Sequence, residues 1–163
     1  MNIRQAEIRD ITALTDIYNY EVTHGVATLD IHPRTYEDRA QWFNAHNKDN
    51  HPLIVAEDNG EVIGYASLSP YREKEAYSST VELSVYVDAL HRGKGVASAL
   101  LTEILGFAIN DPSTHLVVSV ITAGNEASVH LHEKFGFSYA GTIHEVGVKF
   151  GKYLDIVNYE LIV

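Results

Sequence analysis

Cysteine is absent from the 163-residue chain, so it offers no disulfide framework, no thiolate nucleophile and no cysteine-ligated zinc. The chemistry has to come from other groups. Basic residues are scarce: 12 Lys and Arg stand against 22 Asp and Glu, a formal net charge of −10. That balance argues against a phosphate-tracking nucleic-acid surface or an anionic-membrane footprint and points to a small molecule or a protein as partner. No apolar run approaches membrane-spanning length, and Met1 to Asp10 alternates apolar and charged residues without the apolar core of a signal peptide. The expectation is a soluble, unprocessed, cytoplasmic protein. No repeat, linker or low-complexity stretch interrupts the chain, and 45% hydrophobic with 21% charged residues fits one domain over 1–163.

What is present is a regular succession of elements. Ile3, Ala6 and Ile8 among charged neighbours suggest a first strand, and Asp10 stands where a helix N-cap belongs. Ile11, Leu14, Ile17, Tyr18 and Val22 then recur at helical spacing until His24-Gly25. Thr35 with Asp38 resembles a capping box before a second helix whose apolar face carries Trp42 and Phe43. Period two takes over in Leu53 to Glu57 and Val62 to Leu68, which flank Asp58-Asn59-Gly60, a tight-turn signal for an antiparallel hairpin. In Thr80 to Val87 the alternation sets Val81, Leu83, Val85 and Val87 on one face and Thr80, Glu82, Ser84 and Tyr86 on the other. A buried helix after Gly95, an apolar strand from Leu116 to Ile121, a helix opened by Asn125 and closed by Gly136, and strands near Ser138 to Val148 and Lys152 to Leu161 complete the order. The order β-α-α-β-β-β-α-β-α-β-β describes a mixed α/β sandwich with helices on both faces.

A strand followed by Arg92-Gly93-Lys94-Gly95-Val96-Ala97 and a helix aims unpaired backbone N–H groups at whatever sits before the helix, at the positive end of its dipole. Glycines admit a ligand close to the backbone, and His91, Arg92 and Lys94 make the spot locally basic, so a pyrophosphate suits it. An ordinary strand-to-helix turn is the plain alternative. A dinucleotide fingerprint fits poorly, because its third glycine position is Ser98 and no acid for a ribose ends the next strand. Neither a Walker loop nor a Gly-x-Ser-x-Gly elbow occurs.

Arg92 to Ala97 matches the [Gln/Arg]-x-x-Gly-x-[Gly/Ala] signature, and the chain on these residues resembles the GNAT acetyltransferase superfamily. Asn125 to Phe137 is similar to that superfamily's second cofactor motif. Thr80-Val-Glu82-Leu-Ser-Val-Tyr86-Val, Leu131-His132-Glu133 and Val146-Gly-Val-Lys149-Phe150-Gly resemble its phosphinothricin and methionine sulfone acetyltransferase branch. The resemblance implies the GNAT fold, a mixed and mostly antiparallel central sheet with helices on both faces. It also implies acetyl transfer from acetyl-CoA to a primary amine, and a homodimer. The cofactor would lie along Val85, Tyr86 and Val87, on Arg92, Gly93, Lys94, Gly95, Val96, Ala97 and Ser98, and against Asn125 and Ser128.

Glu82 is the candidate base, since alternation places it on the polar face and partial burial would raise its pKa towards neutrality. The alternative is an exposed glutamate or an ion pair with Arg72. Asn125, Ser128 and His132 form a polar helix stripe, and His132 is a candidate proton donor to the leaving thiolate or a packing residue; Asn125 also suits an N-cap. An amino-acid acceptor carries a carboxylate that needs a cation. Arg72, Lys74 and Lys149, with Tyr77 and Ser84, are the candidate acceptor-binding residues, the alternative for each cation being surface charge. Lys74 and Ser78 stand where branch members vary, which leaves the amine open. His130 and His132 point roughly 200° apart on a helix and cannot chelate one ion, so no metal is expected. A polyamine or other antibiotic-like amine as acceptor, and a non-catalytic acyl-CoA sensor, are the alternatives. The final strands carry Tyr139, Ile143, Val146, Phe150, Tyr153 and Ile156, apolar surface that suits a second copy.

Overall fold

A computed structural model describes all residues, 1–163. Seven strands form one sheet in the order β1-β2-β3-β4-β5-β7-β6. They are β1 (Asn2–Gln5), β2 (Leu53–Asp58), β3 (Glu61–Pro70), β4 (Thr80–Val87), β5 (Leu116–Thr122), β6 (Ser138–Lys149) and β7 (Lys152–Ile162). Every neighbouring pair is antiparallel except β4 with β5. The helices are α1 (Ile11–His24), α2 (Tyr36–Asn44), α3 (Val96–Asn110) and α4 (Glu126–Lys134). No helix is long and apolar enough to cross a membrane.

Two apolar cores lie on opposite faces of the sheet. Val96, Leu100, Leu101, Ile104 and Leu105 of α3 pack on Ile54, Ala66, Leu68, Val81 and Leu83, with Val129 and Leu131 of α4 beside them. On the other face Leu14 and Ile17 of α1 meet Leu53, Val55 and Tyr65, bordered by Trp42 and Phe43 of α2. Alternation along β2 to β4 explains the division, because residues two apart share a face. Gly64 allows α3 to sit this low: a Cβ there would lie 3.0 Å from the Tyr86 carbonyl and 3.1 Å from Val96 Cγ1.

The local signals for α2 and the β2–β3 turn are realised. Asp38 N–H donates to Thr35 Oγ1 (3.1 Å) while Thr35 N–H donates to the Asp38 carboxylate (3.2 Å). Asn59 and Gly60 both adopt the positive φ, 50° and 81°, that the tight turn needs. Three local expectations change. Ile8 leaves the first strand, lies exposed and opens a 3₁₀ turn, Ile8–Asp10, because β1 has no partner beyond Gln5. Asp10 is buried but does not cap α1; its carboxylate accepts from Glu7 N–H (2.7 Å) and from both Arg4 guanidinium nitrogens (2.8 and 2.9 Å). Burial alone would push that carboxyl up, yet the bonds from Arg4 and Glu7 hold it below its ordinary value. After β4 the chain makes a further 3₁₀ turn, Ala89–His91, capped by Asp88, before the glycine loop.

Candidate active site

β4 and β5 are paired only over Thr80–Glu82 and Leu116–Val118, although β4 runs on to Val87 and β5 to Thr122. Beyond Glu82 the strands part, so on that edge the β4 backbone from Leu83 to Val87 has no strand partner and opens a cleft. The cleft is a small space of about 80 Å³ lined by Leu83, Ser84, Val85, Tyr86, Ser119 and Asn125, among others. Expected cofactor residues Val85 and Tyr86 therefore border it, Val87 follows on the same strand outside the lining, and Ser128 lines its α4 side.

The loop before α3 shows why glycine stands there. Gly93 and Gly95 have φ of 71° and 80°, a region that side chains with a Cβ rarely enter, and an added Cβ on either would meet nothing within 4 Å. Gly95 is the helix N-cap yet carries no capping side chain, so the first-turn N–H groups of Val96, Ala97 and Ser98 are left for a ligand. This donor set suits the pyrophosphate of a coenzyme A molecule, and the parted strands suit the extended arm that follows it. The basic side chains contribute less than expected. Arg92 is bound to the Glu21 carboxylate, and Lys94 Nζ donates to the Leu90 carbonyl (3.2 Å) from an exposed position.

α4 is opened by Asn125, whose side chain accepts from Ser128 N–H (3.2 Å). His132, buried at 4% exposure, spends both ring nitrogens inside the protein: Nδ1 lies 2.7 Å from the Ser128 carbonyl and Nε2 2.8 Å from Ser119 Oγ. A carbonyl only accepts, so Nδ1 carries the hydrogen and Nε2 takes the Ser119 proton. Burial also pushes the imidazole pKa down, leaving the ring neutral with no spare N–H for a departing thiolate.

On the sheet face covered by α1 and α2, a cavity of about 570 Å³ holds Glu82. Its floor is three cross-strand pairs of β3 and β4, Tyr65 with Tyr86, Ser67 with Ser84 and Ser69 with Glu82. Its roof is formed by Arg39 and Trp42 of α2, followed by His46. Glu82 is partly buried, and burial pushes its carboxyl up while the Arg72 guanidinium pulls it partly back. No direct ion pair joins Glu82 to Arg72, which instead lies 5.0 Å over the Tyr71 ring. Ser84 and Tyr86 are the two residues that line both the cleft and this cavity.

The expected acceptor cations are not gathered there. Arg72, Lys74 and Tyr77 are exposed and outside the cavity lining. Lys149 is buried at 3% exposure, its ammonium donating to the carbonyls of Thr28 (2.8 Å) and Glu21 (3.3 Å). That ammonium ties the last hairpin to the segment after α1, and burial pushes its pKa down. Arg39 lines the cavity instead. Its sequence signal is the spacing of Arg39, Trp42 and His46, which sets a cation and an imidazole beside the tryptophan. A more open groove of about 790 Å³ lies beyond the far end of α3, between Asn47, Lys48, Phe107 and Asp111, and contains none of the expected residues.

The acetyltransferase (GNAT) family model matches residues 14–137. The chain belongs to the GNAT acetyltransferase family. As a member it is an N-acetyltransferase with acetyl-CoA as its donor. It is 40% identical over 163 residues to the phosphinothricin N-acetyltransferase of Streptomyces coelicolor, covering 98% of this chain and 95% of that one. Similarity to the L-methionine sulfoximine/L-methionine sulfone acetyltransferase of Salmonella typhimurium is 37% over 161 residues, covering 99% and 94%. A solved GNAT phosphinothricin acetyltransferase from Sinorhizobium meliloti, in complex with acetyl-CoA, superposes with a TM-score of 0.94 at 33% identity over 99% of this chain and 88% of that chain. The GNAT sheet with its single parallel pair is thus the observed architecture, as the sequence motifs imply.

Proposed function

We propose that this GNAT enzyme acetylates the primary amine of a small amino-acid-like acceptor of the phosphinothricin, methionine sulfone or methionine sulfoximine type. One observation carries the reading. Two spaces, one at the open edge of β4 and one on the face covered by α1 and α2, share Ser84 and Tyr86, and the carboxylate of Glu82 lies in the wider one. A donor entering from the cleft and an amine entering from the cavity meet at those two residues.

Bound acetyl-CoA supplies an acyl thioester, which needs little activation beyond an unprotonated amine. Glu82 takes a proton from the acceptor's ammonium, directly or through one water, and its raised pKa brings it closer to neutrality than an ordinary glutamate. The free amine then forms the new C–N bond as the C–S bond breaks, and the proton that the nitrogen sheds on acylation ends on the departing sulfur. Burial and the neighbouring tyrosines keep the Tyr86 phenol protonated, so its O–H and that of Ser84 are the hydroxyls available at the meeting point. The N–H groups at the start of α3 hold the pyrophosphate, and the backbone of Val85 to Val87 aligns the arm.

A homodimer and a cytoplasmic location belong to the same reading. Tyr139, Ile143, Val146, Val148, Phe150 and Tyr153 of β6 and β7 and the turn between them stand exposed, and cysteine is absent. A single-chain mass at micromolar concentration in equilibrium sedimentation would remove the dimer. The activity is tested by thiol release from acetyl-CoA with methionine sulfone, phosphinothricin, spermidine and an aminoglycoside. Release with the first two alone is expected; release confined to the polyamine or aminoglycoside contradicts the proposed acceptor class.

A further inference from the structure

The roof of the Glu82 cavity contains a buried cation without a counter-ion. Arg39 is 6% exposed and takes part in none of the protein's ion pairs. Its guanidinium stacks 3.7 Å above the Trp42 ring and 4.5 Å from that of Tyr18, and Nη2 donates to the Tyr65 hydroxyl at 3.1 Å. Nε has no acceptor at all. Below it, Ser67 is 1% exposed and its hydroxyl is unpartnered too.

Both orphaned donors line the same cavity. They are also close along the fold: α2 contacts β3 through Arg39 with Tyr65, the segment after it through His46 with Ser69 (2.8 Å), and Ser67 lies between those two contacts on the strand. Other charged groups there are already committed. Asp30 is held by Arg34 (3.0 and 3.1 Å) and by Tyr18, and Asp38 by Thr35. His46 donates from Nδ1 to the Trp42 carbonyl, and burial pushes its pKa down, so it brings no charge. Glu82, the remaining carboxylate, faces the opposite end, across from Ser69. An unpaired guanidinium and an unpaired hydroxyl, both desolvated, carry a cost that an incoming anion would remove. Cation–π contact offsets part of it but leaves the Nε hydrogen unmet.

We infer that Arg39 and Ser67 form the subsite for an oxygen-rich, negatively polarised group of the acceptor, while Glu82 faces its amine. The inference rests on the proposed acceptor class. The floor from Tyr65 to Ser69 covers four residues of extended chain, about 13 Å, so one small amino acid spans it from base to guanidinium. Two groups of such an acceptor share this chemistry, the α-carboxylate and the distal sulfone or phosphinyl oxygens.

Three acceptors separate these sources: methionine sulfone, its decarboxylated counterpart 3-(methylsulfonyl)propylamine, and norleucine, which lacks the sulfone. Arg39→Met is expected to lower kcat/KM for methionine sulfone by roughly 30–100-fold, the size of a lost charge-assisted hydrogen bond. That loss should disappear with whichever analogue lacks the bound group, because the wild-type-to-variant ratio for each acceptor cancels differences in amine basicity. An equal loss with all three acceptors, or none, overturns the subsite. Should Arg39→Met fail to fold, Arg39→Lys and Ser67→Ala carry the same comparison, with acetyl-CoA affinity by calorimetry as the check on folding. If wild-type protein acetylates the amino acids but the losses are equal, the subsite alone falls. If wild type acetylates none of the three, the acceptor class falls and takes the subsite with it.

Discussion

Glu82, the proposed base, shows how the place of one residue on a strand sets its proton affinity. It stands where β4 loses its partner, so its backbone is held by β3 while its side chain faces a cavity rather than bulk water. Burial raises its pKa, Arg72 moderates the rise, and below the raised value the carboxyl holds a proton and cannot accept another. Activity should therefore rise with pH through that value. Replacing Glu82 with glutamine keeps the shape and removes the acceptor, so kcat/KM should fall by roughly 10²–10⁴ at pH 7. The deficit should narrow towards the amine's own pKa, where free amine is abundant without the enzyme's help. Steady-state kinetics from pH 6 to 9 check it, and a constant deficit confined to KM would make Glu82 a positioning residue. At this scale the alternation in Thr80 to Val87 announces the facing of Glu82, but hydrogen-bond commitments are not legible. Lys149, Arg92 and His132 look like ligands in a sequence; the Thr28 and Glu21 carbonyls, the Glu21 carboxylate, and the Ser128–Ser119 pair claim them through contacts spanning from 4 to 128 residues.

α3 and the loop before it form the element to which the proposed reading assigns donor binding. Gly95 caps the helix from the left-handed region, so its role is first conformational: the uncapped N–H groups face outward because no side chain returns to them. Gly64 adds the second condition by letting Val96 and Leu100 approach β3. Gly95→Val would force a β-branched residue to φ near 80°, at a cost of about 1–3 kcal/mol, and turn the first-turn amides away from their common focus. Calorimetric titration should show acetyl-CoA affinity reduced at least tenfold; unchanged affinity would remove the cradle. The capping box of α2 and the Asn59-Gly60 turn are legible because each is settled within four residues. The end of β1 is not, since strand pairing decides it, whereas the turn at Ala89–His91 has an equally local signal in the Asp88 cap.

On the proposed reading the molecule divides two ligands between the open edge of β4 and one of its faces. Nothing in the alternation of apolar residues specifies that β5 lies parallel to β4, or that β7 enters between β5 and β6; that order follows from how the pieces pack, and the resemblance implied only a mixed, mostly antiparallel sheet. The consequence is a sheet whose middle opens, with α4 flanking the cleft and α1 and α2 roofing the cavity. Net charge plays a small part, because a −10 protein meets a polyanion through local amides rather than its overall field. The most direct test is a crystal structure of the protein with both CoA and methionine sulfone bound. The account predicts the CoA sulfur in the cleft and the acceptor nitrogen in the cavity, roughly 3–4 Å apart beside Ser84 and Tyr86, with that nitrogen facing Glu82. An acceptor lying on the cleft side of β4, or in the groove beyond α3, would contradict it.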